Sequence, residues 1–186
     1  MKKNSFLFFH FNLFFSSIDE DQRKLIIKKC YYPIIYIAKK SNIPINIEAS
    51  ARTLLEIKKI DKNFIKVLKE LIIEKKIYFV GSGYNQIISP LVPFEITSKN
   101  LKFGNYYYKK ILGIKPETAL INEMAFSETI SEIYFDSGYK NIIIDFENLV
   151  LSPEDRKNKI PNTFFSNSKK NKINIIYASS YLFQQF

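Results

Sequence analysis

Short apolar runs punctuate this chain, and each of them ends in polar residues. They cover residues 6–12 (FLFFHFN), 45–50 (INIEAS), 77–84 (IYFVGSGY), 119–123 (ALINE), 141–148 (NIIIDFEN) and 173–180 (INIIYASS). Between most of them lies a stretch with helical spacing. Short runs rich in Ile, Val and Phe that alternate with helices predict parallel strands buried on both faces. In such folds functional groups gather at the carboxyl ends of the strands. Those ends carry His10, Asn12, Glu48, Ser50, Ser82, Tyr84, Asn122, Glu123, Asp145 and Glu147. Carboxylates, amides, hydroxyls and one imidazole suit a polar small molecule such as a sugar.

The elements follow from the same pattern. A first strand is expected over 5–9. Ser17 with Glu20 three residues later resembles a capping box that opens a helix to about residue 40. Pro44 begins the second strand, and a short helix is expected over 53–59. Asp61 is placed to cap a helix through Glu74, with Phe64, Val67, Leu68, Leu71 and Ile72 on its apolar face. A third strand spans 77–80. Gly81-Ser82-Gly83 then opens a long connection containing Pro90 and Pro93. A helix over 95–112 is closed by Gly113, and a fourth strand spans 118–121. A helix over 127–137 stops at Gly138 and leads into a fifth strand over 141–144. Residues 149–172 are polar and hold two prolines, so they read as a long loop before a sixth strand over 173–177. This alternation predicts α/β architecture with right-handed crossovers. Residues 1–186 are read as one domain of about six parallel strands, too few for an eight-stranded barrel, which form either an open sheet or an incomplete, partial β/α-barrel.

Composition changes this picture only modestly. A length of 186 residues suits one domain with a substantial core. The formal net charge of +10 invites a nucleic-acid reading, but all except three of the 28 basic residues are Lys. Abundant Lys, Ile and Asn are what an AT-rich coding sequence favours. The Lys residues are scattered rather than gathered on one helix face, so no nucleic-acid partner is expected. Cys30 is the lone cysteine, which excludes an intrachain disulfide or a cysteine metal cluster and fits a reducing, cytoplasmic compartment. Met1-Lys2-Lys3 before an apolar run resembles a signal peptide, yet His10 and Asn12 interrupt the run and no small-residue cleavage site follows. No apolar run is long enough to span a bilayer, so no membrane association is expected.

Glu123 is the sharpest chemical candidate. It follows an apolar strand and is expected at the strand tip, where a carboxylate can attack an anomeric carbon. A cap for the next helix is the competing role. Asn122 beside it is placed to orient a sugar hydroxyl. Glycines 81 and 83 let a ligand approach the backbone closely, or simply form a tight turn; no phosphate-loop motif follows them. Tyr84 offers a face for a sugar ring, or packs under the loop. His10, the single histidine, is a hydrogen-bond donor to a sugar hydroxyl or a structural group. Glu48, Asp145 and Glu147 are general-acid or hydrogen-bonding candidates, or loop anchors. One His and one Cys argue against a zinc site, and no cofactor is expected. Tyr106-Tyr107-Tyr108 reads as core plus surface aromatics within a helix.

HFN near the start, then GSGYNQIISPLVP, LINEMAFSETI and FDSGYKNIIIDFEN, in that order, resemble the amino-terminal catalytic region of glycoside hydrolase family 57. The resemblance runs from about Phe6 to Asn148 and more weakly to Phe186. It implies a distorted (β/α)7 barrel, here incomplete with its final strand missing. It implies retaining hydrolysis or transfer of α-linked glycans, with Glu123 at the nucleophile position and His10 as a substrate contact. The chain departs from the family at His10-Phe11-Asn12, where His-Gln-Pro is usual, and at Leu120-Ile121-Asn122, where an aromatic usually precedes the Glu. The family's acid/base Asp has no matching motif before Phe186. The expectation is therefore a divergent, truncated member whose barrel is completed by a downstream domain or a second chain. The alternatives are a metal-dependent polysaccharide deacetylase-like enzyme, which shares the distorted barrel, and a non-catalytic carbohydrate-binding relic.

Overall fold

The computed structural model describes residues 6–41, 43–145, 163–165 and 172–178. They form two compact units. The first holds the chain up to Asn85 together with Phe103–Pro116; the second holds Gln86–Lys102 and the residues from Glu117 onward.

The first unit is built on a parallel three-stranded sheet of β1 (Phe8–Phe11), β2 (Ile45–Ala49) and β3 (Ile77–Val80), in the order β1-β2-β3. Ile45, Ile47, Glu48 and Ala49 of the central strand are all buried, as a strand covered on both faces requires. The first strand starts three residues later than expected. Its register is dictated by β2, which pairs Phe8 with Asn46 and Phe11 with Ala49, while Phe6 and Leu7 stay exposed. Between β2 and β3 run α3 (Ala51–Ile60) and α4 (Lys62–Ile73). Asp61 caps the latter as expected, its Oδ1 accepting from the Phe64 N–H at 3.0 Å. Phe64, Ile65, Leu68 and Leu71 are its buried face.

The single helix expected over 17–40 starts later, at Arg23, and runs on to Lys40 with a π turn inside it. The chain turns through residue 22, and then come α1 (Arg23–Ile26), a wider π-helical turn over Ile27–Tyr31 and α2 (Tyr32–Lys40). Pro33 lacks an N–H and its ring crowds the carbonyl four residues back, so the helix cannot run regularly into it. The wide turn aims Tyr31 inward, where its ring stacks on Phe11 at 4.0 Å and 8° and lies 6.3 Å from Phe64.

The second unit carries a four-stranded sheet. Its strands are β4 (Thr118–Leu120), β5 (Asn141–Asp145), β6 (Thr163–Phe165) and β7 (Lys172–Ala178), in the order β4-β5-β7-β6. The first two and β7 are mutually parallel. Strand β6 lies antiparallel on the edge and falls within the stretch expected to be a loop. The other residues of 149–171 lie outside the described residues. Helix α6 (Glu128–Asp136) connects β4 to β5, and Ala119, Ile121, Ile130, Tyr134, Ile142 and Ile144 belong to the core beneath it. Helix α5 (Phe94–Leu112) contains the boundary between the units. Gly113 and Gly138 follow α5 and α6 with φ of +81° and +91°, the left-handed conformation that ends a helix at little cost to glycine.

Six parallel strands are thus present among the described residues, as expected, but they pair within two sheets. No described helix is long and apolar enough to cross a membrane.

Candidate active site

In the first unit the carboxyl ends of β1, β2 and β3 bring several candidates together. The strand register sets His10 opposite Glu48. Neighbours at one register level of a parallel pair project to the same face. The side chains meet there: His10 Nδ1 is hydrogen-bonded to Glu48 Oε2. The Glu48 side chain is 0% exposed and that of His10 42% exposed, so a buried carboxylate holds a ring that reaches solvent. The second oxygen of Glu48, Oε1, is buried and has no hydrogen-bond partner among the described residues.

Two other residues of this group are engaged in local structure. Asn12 Oδ1 accepts from the Phe14 N–H at 2.9 Å and turns the chain after β1. Ser50 caps α3: its Oγ accepts from the Thr53 N–H at 3.2 Å and donates to Thr53 Oγ1 at 3.1 Å. Phe14 meets two guanidiniums over its ring, 4.5 Å from that of Arg23 and 3.9 Å from that of Arg52. Arg23 also pairs with Glu56 at 3.3 Å.

The glycine turn after β3 is held by a residue that the sequence alone did not single out as functional. Tyr108 is wholly buried on α5. Its hydroxyl accepts from the Ser82 N–H at 3.0 Å and faces the carbonyls of Ala49 at 2.9 Å and Gly83 at 2.8 Å as donor. One phenol therefore ties the end of β2 to the turn. Burial pushes this phenol above its ordinary pKa, so it keeps the proton that the carbonyls need. Tyr84 packs against Phe103 and Tyr107 at 5.1 and 5.5 Å, and the Arg52 N–H donates to its carbonyl at 3.0 Å. The Tyr run divides as expected, Tyr108 in the core and Tyr106 56% exposed. Replacing Tyr108 by Phe preserves the packing but strips the Ser82 N–H and the two carbonyls of their shared partner. The expected cost is about 1–3 kcal/mol of stability, read as a lower denaturant midpoint at unchanged m-value.

In the second unit Asn122, Glu123 and Met124 form a 3-10 turn directly after β4. Asn122 is buried and Glu123 is exposed. The backbone is unusual here. Glu123 has φ +54° and Met124 φ +52°, both in the left-handed region that side chains other than Gly, Asn and Asp rarely adopt. The Met124 N–H donates to the Ile121 carbonyl at 3.0 Å and the Ala125 N–H to that of Asn122 at 3.2 Å, which pins the turn. Backbone held in such a conformation costs on the order of 1–3 kcal/mol and concentrates at functional sites. Asp145 is buried at the end of β5, next to β4 in the sheet. Glu147 lies outside the described residues.

Comparison with known proteins points one way. The family model described as Glycosyl hydrolase family 57 matches residues 5–181. Comparison with curated proteins gives no match. Among solved structures, the 4-α-glucanotransferase of Thermococcus litoralis is similar over 97% of this chain, with a TM-score of 0.77 at 15% identity. The branching enzyme of Pyrococcus horikoshii, described as of the same family type, is similar over 95%, with a TM-score of 0.71 at 13% identity. A Mycobacterium smegmatis protein described as a polysaccharide deacetylase reaches a TM-score of 0.61 at 9% identity over 94% of this chain and 58% of its own. The chain spans 28% of the glucanotransferase and 47% of the branching enzyme.

Proposed function

The chain belongs to glycosyl hydrolase family 57, and from that premise we propose that it acts on α-linked glucans through a covalent intermediate on Glu123. The observation that carries this reading is the turn after β4, where an exposed carboxylate rides on a left-handed backbone at a strand's carboxyl end. Such a backbone sets the direction in which the Glu123 side chain leaves the strand end. In the proposed first step a Glu123 oxygen attacks the anomeric carbon, and the bond to the leaving oxygen breaks with its electron pair. Water or a second sugar hydroxyl then displaces the carboxylate, which separates hydrolysis from transfer. Asn122, Asp145 and Glu147 are proposed to bind the sugar that Glu123 attacks, and His10, Asn12, Glu48, Ser50, Ser82 and Tyr84 are proposed as sugar-binding residues of the first unit. The leaving oxygen needs a proton from a second carboxyl group, ordinarily roughly 5 Å from the first in retaining enzymes. A further domain or a partner chain is proposed to supply it. The proposed location is cytoplasmic.

The deacetylase-like alternative is less well supported. It needs a cluster of metal ligands, and the chain has one histidine. No group of three His, Cys, Asp or Glu side chains suited to a metal occurs among the described residues.

The stereochemistry tests the proposal. With α-glucosyl fluoride as donor, proton NMR is expected to show the α anomer as the first sugar formed, before mutarotation. First appearance of the β anomer would mean a single displacement and would remove the covalent role from Glu123.

A further inference from the structure

We propose that Glu48 is a positioning residue that fixes the proton of His10 on Nδ1, so that the neutral ring presents Nε2 as an acceptor. The inference rests on the reading of His10 as a sugar contact and gives that contact a direction: the ring accepts from a sugar hydroxyl rather than donating to it.

The argument starts from the strand register, which sets the two residues opposite each other without help from any loop. Glu48 is entirely buried, and its ion pairing among the described residues is with His10 alone. A buried carboxylate left without a donor is costly, and the Nδ1–H is the donor that Oε2 meets. The Tyr108 hydroxyl does not serve, because it is spent on the Ala49 and Gly83 carbonyls. Oε1 stays bare.

The competing arrangement has Glu48 as a carboxylic acid donating to an unprotonated Nδ1, with the ring proton on Nε2. Imidazole is ordinarily about two pKa units more basic than a carboxylic acid. The half-exposed ring is also the member of the pair that water can reach. Both considerations put the proton on the ring. In a histidine the nitrogen that bears the proton is set by the hydrogen bond made at the other edge. A carboxylate at Nδ1 therefore assigns Nε2 the acceptor role in the neutral ring.

Because His10 is the single histidine of the chain, one ring system appears in a long-range proton–nitrogen correlation spectrum. The nitrogen-15-labelled full chain is measured at a pH raised until the two ring nitrogens give separate protonated and unprotonated shifts, the signature of the neutral ring. The wild type is expected to show a protonated Nδ1 and an unprotonated Nε2. In Glu48→Met, which keeps length and removes the acceptor, the proton is expected to move to Nε2 in most molecules. A wild-type ring protonated on Nε2 overturns the proposal, as does a Glu48→Met ring still protonated on Nδ1. Should the variant not fold, the wild-type spectrum alone decides. The readout involves no glycan, so its failure and failure of the glycosidase reading are separately visible.

Discussion

Glu123→Gly is expected to abolish glycosyl transfer while leaving the fold intact. The side chain is exposed, so its removal opens no cavity. The left-handed backbone at φ +54° costs a side-chain-bearing residue roughly 1–2 kcal/mol and glycine almost nothing, against roughly 0.5–1 kcal/mol of extra chain entropy that glycine loses on folding. Stability should therefore be unchanged or slightly higher. Turnover of α-glucosyl fluoride should fall roughly 10³-fold or more, the scale on which loss of a covalent nucleophile acts. Azide supplies the control. It fits the vacated space and attacks the anomeric carbon from the face that the carboxylate used. The carbon–nitrogen bond forms as fluoride departs with its electron pair, giving β-glucosyl azide. A variant that retains wild-type turnover without azide would remove Glu123 from the mechanism.

Gly104→Ala is expected to be the most destabilising single-methyl change in the first unit. Alanine is ordinarily favoured over glycine inside a helix by about 1 kcal/mol. Here an added Cβ would lie 2.5 Å from the Gly83 carbonyl carbon, 2.7 Å from its Cα and 2.8 Å from the Tyr84 nitrogen. All three are backbone atoms of the turn that Tyr108 holds from the same helix face, so no flexible side chain can yield. Either α5 or the turn must move, and the propensity gain is overwhelmed. The expected net loss is about 2–4 kcal/mol, with the Tyr84 ring leaving its packing against Phe103 and Tyr107. Chemical denaturation measures the first effect and tyrosine fluorescence the second. A variant as stable as wild type would mean that the helix and the turn do not touch as described.

These two positions mark where the sequence could and could not be read. Strands β2 and β3 and helices α4 and α6 were legible because each is bounded by local chemistry: Pro44, Asp61, Gly138 and unbroken apolar runs. The strand-end rule also placed His10, Glu48 and Glu123 correctly at carboxyl ends. What failed were features decided by partners remote in sequence. Strand β1 takes its start from β2, and β6 exists because β7 offers an edge, although its own residues lie in a polar stretch. The π turn before α2 accompanies Pro33, and the capping pattern at Ser17 and Glu20 put the helix start too early, since it falls at Arg23. Gly104 and Tyr108 stand four residues apart, which puts them on one helix face. That spacing was visible; their target, the Gly83 turn, was not. The left-handed Glu is a different case: its turn closes locally onto Ile121 and Asn122, but it contains no Gly, Asn or Asp at the positive-φ positions to announce it.

The most direct measurement is peptide mass spectrometry after trapping with a fluorinated, slowly turned-over α-glucosyl fluoride. An activated fluoride leaves without a proton donor, so the step requires only the attacking carboxylate. One hexosyl ester on the side chain that follows Asn122 is the predicted result. An adduct on a different carboxylate, Asp145 for instance, or steady consumption of the donor with no adduct at all, would contradict it.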